Sequence, residues 1–121
     1  MPLPIEGPLF SDAPVQTIGR DELLRKVEAK DSRFKLVMAL GDWEFRNKHI
    51  PGSLHFKDAH DMLAVLGRDD DIVVYCSRPS CVASVAAYHR LVQEGYSKVM
   101  RYPGGIEDWE SAGLPLARGA G

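Results

Sequence analysis

The run Ile72-Val73-Val74-Tyr75-Cys76 restricts what this chain can become more than any other segment. It is of strand length, rich in β-branched residues and apolar at consecutive positions, so a strand built from it has no face to turn toward water. Such a strand must be central and covered on both sides. A further apolar run of strand length, "FKLVMAL" (34–40), stands before it, and "SKVMRY" (97–102) reads as a last strand after it.

Between these runs the pattern changes to that of helices. "GRDELLRKVEAK" (19–30) places Leu23, Leu24 and Val27 at helical spacing, with Asp21 and Glu22 at the end where free N–H groups favour negative charge. "DWEFRNKH" (42–49) reads as one or two helical turns stopped by Pro51 and Gly52, and "DAHDMLAVL" (58–66) as an amphipathic helix ended by Gly67. Ser80 is the expected N-cap of a helix running to about Glu94, with Val82, Val85, Ala86 and Leu91 near the helical period and Gly95 as its left-handed stop. "PGG" (103–105) turns into a last short helix, "IEDWESAG" (106–113), which Pro115 ends. Val15–Ile18 reads as a short edge strand and "SLHF" (53–56) as another short strand. Strands alternating with helices at this spacing predict an α/β fold with a parallel sheet covered on both faces.

Composition narrows the function classes. The chain of 121 residues fits one domain, and 45% hydrophobic with 26% charged residues is ordinary for a globular protein. Four prolines in the first 14 residues make that stretch an arm; the domain is expected over residues 15–117, with 118–121 as a tail. A net charge of −2 with scattered basic residues carries no nucleic-acid footprint. No apolar run approaches the roughly 18 residues of a membrane span. "MPLPIEGPLF" lacks the basic start and apolar stretch of a secretion signal. Two cysteines are too few for a secreted disulfide scaffold, so a reducing cytoplasm is the expected setting.

Those two cysteines are the candidate chemistry. Cys76 ends the central strand, and the loop Ser77, Arg78, Pro79, Ser80, Cys81 leads into a helix. Ligands of open α/β sheets sit outside the carboxyl ends of the strands. Loop N–H groups and a helix N-terminus there form a cradle for an anion, and a thiol in that field is acidified from its free value of about 8.5. The cradle suits a thiolate or an anionic group attached to it, and Cys76 is the candidate nucleophile.

The chain resembles single-domain members of the rhodanese (sulfurtransferase) family over roughly Val15 to Leu116. "HIPGS" (49–53) is similar to the family's His-Ile-Pro-Gly-Ala/Ser. "IVVYC" delivers the cysteine, "LVQEGYSKVMRYPGGIEDW" (91–109) follows the family's spacing of Gly-Tyr, Gly-Gly and Trp, and "SAGLPL" matches its closing motif. The resemblance implies five parallel strands flanked by helices. It also implies that Cys76 takes a sulfane sulfur from a small donor (thiosulfate, a persulfide or a polysulfide), holds it as a persulfide, and passes it to a thiol acceptor, a protein thiol among the candidates. No metal or cofactor is implied, and the dispersed His49, His55, His60 and His89 offer no ligand spacing. His49 reads as a structural hydrogen-bonding residue of the "HIPG" turn.

The loop departs from the family pattern Cys-Arg-x-Gly-x-Arg. Pro79 takes the glycine position, Cys81 the final arginine position, and Arg78 is its one basic residue. Met38 and Leu40 stand where the family's Asp-x-Arg lies after the second strand, and are expected in the core. The dianion thiosulfate loses cationic partners by these changes. The loop is most similar to a Cys-x4-Cys subset of rhodanese-like domains. Two readings of Cys81 stay open: a resolving thiol that attacks the Cys76 persulfide, or a small apolar residue in the first helical turn. Two further functions stand beside sulfur transfer: a thiol-redox protein cycling a Cys76–Cys81 disulfide, and a catalytically idle module that binds or regulates a partner. The related phosphatases need Cys-x5-Arg, and Val82 occupies that arginine position.

Overall fold

The computed structural model describes residues 15–29, 33–39, 42–56, 58–77 and 82–119. Its elements, in order, are α1 (Arg20–Ala29), β1 (Phe34–Met38), α2 (Asp42–Asn47), α3 (Ala59–Val65), β2 (Asp71–Tyr75), α4 (Ala83–Gln93), β3 (Val99–Tyr102) and α5 (Gly105–Ser111). The three strands pair in parallel in the order β1-β2-β3, so β2 is central as its composition requires.

Side chains alternate across the sheet and sort into two cores. Leu36, Met38, Val73, Tyr75 and Tyr102 meet Leu23 of α1, Phe45 of α2, and Ile106 and Trp109 of α5 on one face. Val37, Ile72, Val74 and Val99 meet Met62 of α3 and Tyr88 and Leu91 of α4 on the other. Ile72, Val73, Val74 and Tyr75 are all fully buried, which explains why this strand shows no polar alternation. Met38 packs in the core as expected; Leu40 lies outside the described residues.

The expectation of five strands is corrected. Among the described residues three form ladders, and the two outer segments each contribute a single parallel bridge, Thr17 with Arg101 and Leu54 with Val37. At the first, Ile18 N–H donates to the Arg101 carbonyl (3.0 Å) and Arg101 N–H to the Gln16 carbonyl (2.8 Å). At the second, Met38 N–H donates to Leu54 (2.9 Å) and Leu54 N–H to Leu36 (2.7 Å). Both segments lie in strand positions but leave them at once. Ile18 runs into α1 at Arg20, while Leu54 emerges from a turn in which Ser53 N–H is tied back to the Ile50 carbonyl.

The expected cap at Ser80 is also corrected. Helix α4 starts at Ala83, with Val82 at the cap position and no side-chain cap bond. Val82, expected on the apolar face, is 74% exposed, and the buried face is Ser84, Tyr88, His89 and Leu91. No helix among the described residues is long and apolar enough to cross a membrane.

Candidate active site

Cys76 continues β2 beyond its carboxyl end and is 1% exposed. Period-two alternation from Ile72 and Val74 places it on the α4 face. Its sulfur is disulfide-bonded in this structure. Ser77 follows, half-buried, while Arg78, Pro79, Ser80 and Cys81 lie outside the described residues.

Two clamps hold the backbone around Cys76. The first is α5: Ile106 N–H donates to the Cys76 carbonyl (3.0 Å) and Glu107 N–H to the Ser77 carbonyl (2.9 Å). These are first-turn donors that a helix cannot satisfy internally, and here they fix the peptide planes at the start of the loop. The "PGG" turn makes that approach possible, since Gly105 has φ +64°, in the left-handed region. Asp108, one turn along, accepts from Arg20 (3.0 Å) and from the Tyr102 hydroxyl. Burial, then the adjacent Asp108 hydrogen bond and charge, push the Tyr102 phenol upward in pKa.

The second clamp is Tyr75. Its phenol oxygen accepts the Ile50 N–H (3.0 Å) and lies 2.6 Å from the Ser53 hydroxyl, which donates to the Ile50 carbonyl (2.6 Å). Burial pushes the Tyr75 phenol up to about 12. The "HIPGS" turn is thereby fastened to the residue before Cys76. His49 has the structural role expected of it: its ring stacks on Phe45 at 3.9 Å, its Nδ1 is 2.8 Å from the Phe45 carbonyl, and its backbone pairs with Ala117.

The sequence reading missed two residues beside the sulfur. Ser84 Oγ lies 3.4 Å from Cys76 Sγ, and Arg101 Nε lies 2.8 Å from Ser84 Oγ. Ser84 is fully buried and Arg101 is 9% exposed; burial lowers the arginine's pKa. Their signals are positional. Ser84 shares a helical face with Tyr88 and Leu91, four and seven residues on, and Arg101 shares a strand face with Val99. Elsewhere Asp58, His60 and Asp61 gather at the start of α3, where Asp58 caps the helix by accepting the Asp61 N–H (2.9 Å).

Comparison with known proteins agrees with this fold. The rhodanese-like domain family matches residues 20–112. The HTH-type transcriptional regulator Rv0324 of Mycobacterium tuberculosis is 37% identical over 110 residues, covering 89% of this chain and 47% of the regulator. The thiosulfate sulfurtransferase GlpE of Pseudomonas savastanoi is 39% identical over 70 residues, covering 55% of this chain and 63% of GlpE. The chain thus spans about half to under two thirds of these relatives. Among solved structures, the rhodanese-related protein from Thermoplasma volcanium superposes with a TM-score of 0.70 at 22% identity, over 84% of this chain and 97% of that one. The BH2092 protein from Bacillus halodurans gives 0.74 at 20% identity, over 85% and 77%. With a family match across most of its length and the fold to go with it, the chain belongs to the rhodanese-like domain family.

Proposed function

We propose that the protein is a sulfurtransferase or persulfide carrier whose sulfur-bearing group is Cys76. The observation that carries this reading is the placement of Cys76 at the carboxyl end of the central strand, with its backbone clamped by α5 and a hydroxyl against its sulfur. The reduced thiolate attacks the outer sulfur of a donor; the donor's S–S bond breaks, and a thiolate leaves, or sulfite when the donor is thiosulfate. An acceptor thiolate then attacks the outer sulfur of the Cys76 persulfide, forming a new persulfide and returning the Cys76 thiolate. Electrons and charge balance over the two half-reactions, no cofactor enters, and the kinetics are ping-pong. The small soluble donor and the thiol acceptor suit a reducing compartment such as the cytoplasm. With Arg78 the one basic residue of the loop sequence, low-charge persulfides and polysulfides are the better donors and thiosulfate the weaker.

The test is intact-mass analysis of the reduced protein after exposure to thiosulfate and, separately, to a low-molecular-weight persulfide. Wild type is expected to gain the mass of a sulfur atom, faster from the persulfide, and Cys76→Ser to gain nothing while keeping its fold. Equal loading of Cys76→Ser would overturn the assignment.

The disulfide state of Cys76, and the second cysteine five residues on in the sequence, support another reading: a thiol-redox protein cycling a Cys76–Cys81 disulfide. The regulator name of the mycobacterial relative supports a rhodanese-like module that binds or regulates a partner. Wild-type protein that forms an internal disulfide without loading sulfur moves the assignment to the first; protein that does neither moves it to the second.

A further inference from the structure

The contact between Ser84 and Cys76 has a defined direction. A disulfide sulfur carries no proton, so the hydrogen at this 3.4 Å contact belongs to the Ser84 hydroxyl. The second neighbour of that hydroxyl enforces the same direction. Arg101 Nε, at 2.8 Å, donates into one lone pair of Ser84 Oγ. The serine cannot give its own proton back to a guanidinium, which accepts none. That proton therefore points away from Arg101, and the Cys76 sulfur is within its reach.

Backbone structure fixes all three groups. Arg101 stands directly beside Val74 in the β2–β3 register and is held by backbone bonds to Gln16 and Ile18 on its other side. Ser84 projects from the first turn of α4, on the face shared with Tyr88 and Leu91. Arg101 is 9% exposed, so its guanidinium is held inside the domain beside Ser84 rather than in solvent.

We propose that Arg101 and Ser84 form a relay that presents a hydrogen-bond donor to the Cys76 sulfur and stabilises its anionic form. Ser84 is the group in contact with the reacting atom; Arg101 is a positioning residue that orients and polarises the hydroxyl. The same hydroxyl serves a free thiolate and the inner sulfur of a persulfide. Its consequence for transfer rests on the sulfurtransferase reading above, because Cys76 is nucleophile in one half-reaction and leaving thiolate in the other. Its effect on thiol acidity does not.

The experiment is the pH profile of Cys76 alkylation in the reduced full-length chain, with the modified peptide identified by mass, for wild type, Ser84→Ala, Arg101→Gln and the double variant. Ser84→Ala deletes one oxygen and improves helix propensity, while removing one buried acceptor of Arg101; Arg101→Gln is the independent second probe. A hydrogen bond to a charged group predicts an upward move of the profile midpoint by about one pH unit in Ser84→Ala, or about tenfold less thiolate at a fixed pH below it. Arg101→Gln is expected to move it in the same direction, and by less when Ser84 is already alanine, because the two act through one contact. Profiles of Ser84→Ala and wild type that superimpose would overturn the relay and leave Ser84 as a helix serine bonded to a backbone carbonyl. Shifted profiles in a protein that loads no sulfur would keep the relay and sink the sulfurtransferase reading instead.

Discussion

The phenol of Tyr75 and the backbone nitrogen of Ile50, 25 residues apart in sequence, are joined by a 3.0 Å hydrogen bond in the buried interior. It ties the turn that follows α2 to the strand that leads into Cys76. The Ser53 hydroxyl closes the triangle at 2.6 Å.

Tyr75→Phe removes this tie and leaves a buried N–H without its acceptor, which costs about 1–3 kcal/mol. The pH dependence of that cost is also fixed. Burial raises the folded pKa of Tyr75 to about 12, against about 10 in the unfolded chain. The folded state keeps the proton while the unfolded state releases it. The group's contribution is therefore fully present below pH 10 and lost as pH rises toward 12, by about 2–3 kcal/mol. Urea unfolding of wild type and Tyr75→Phe at pH 8 and pH 11.5 checks this. The advantage of wild type is expected to shrink at the higher pH, and a constant difference would show that the phenol is not buried as described.

The α5 clamp makes a second prediction. Gly104 has φ −61°, so alanine meets no backbone objection there, yet its Cβ would lie 2.6 Å from the Asp108 Cβ. Asp108 cannot simply step aside, because Arg20 and Tyr102 hold its carboxylate. The first turn of α5 must shift, and with it the N–H groups of Ile106 and Glu107 that hold the Cys76 and Ser77 carbonyls. Gly104→Ala is expected to cost about 1–3 kcal/mol in thermal or urea unfolding, and to slow alkylation of Cys76. Unchanged Cys76 reactivity in a destabilised variant would separate the clamp from the chemistry.

What the sequence made legible follows from how each element stabilises itself. The apolar runs carrying β1 and β2 bury both faces, so composition alone announces them. The position of Cys76 at a strand's carboxyl end follows from that. The outer segments at Thr17 and Leu54 carried strand-like residues too, but whether a segment pairs along its length depends on where the chain turns next, which local pattern does not encode. Ser84 and Arg101 were illegible for a different reason. A serine among alanines and an arginine in "VMRY" read as ordinary polar residues, and only packing α4 against β3 brings them together beside the sulfur. Val82 shows the converse error, a large apolar residue at helical spacing that the start of α4 leaves in solvent.

The last prediction concerns the second cysteine. If Cys81 resolves the persulfide, its thiolate attacks the inner sulfur of Cys76–S–SH, hydrosulfide leaves, and two thiol sulfurs are oxidised as the sulfane sulfur is reduced. The product is the Cys76–Cys81 disulfide, which a small thiol reductant returns to the dithiol. A disulfide requires the two Cα atoms within about 7 Å, and Pro79 fixes one backbone dihedral among the four residues between them. A bond formed under such constraint is readily reduced, as a turnover intermediate must be. Loaded wild type is therefore expected to lose sulfide spontaneously and to end two hydrogen atoms lighter than the dithiol. Cys81→Ala is expected to hold its persulfide several-fold longer and to deliver it more completely to added thiol. Time-resolved intact mass, with sulfide trapped in parallel, reads both fates in one run. Equal persulfide lifetimes in the two proteins, with no internal disulfide on oxidation, would leave Cys81 as a packing residue of the loop.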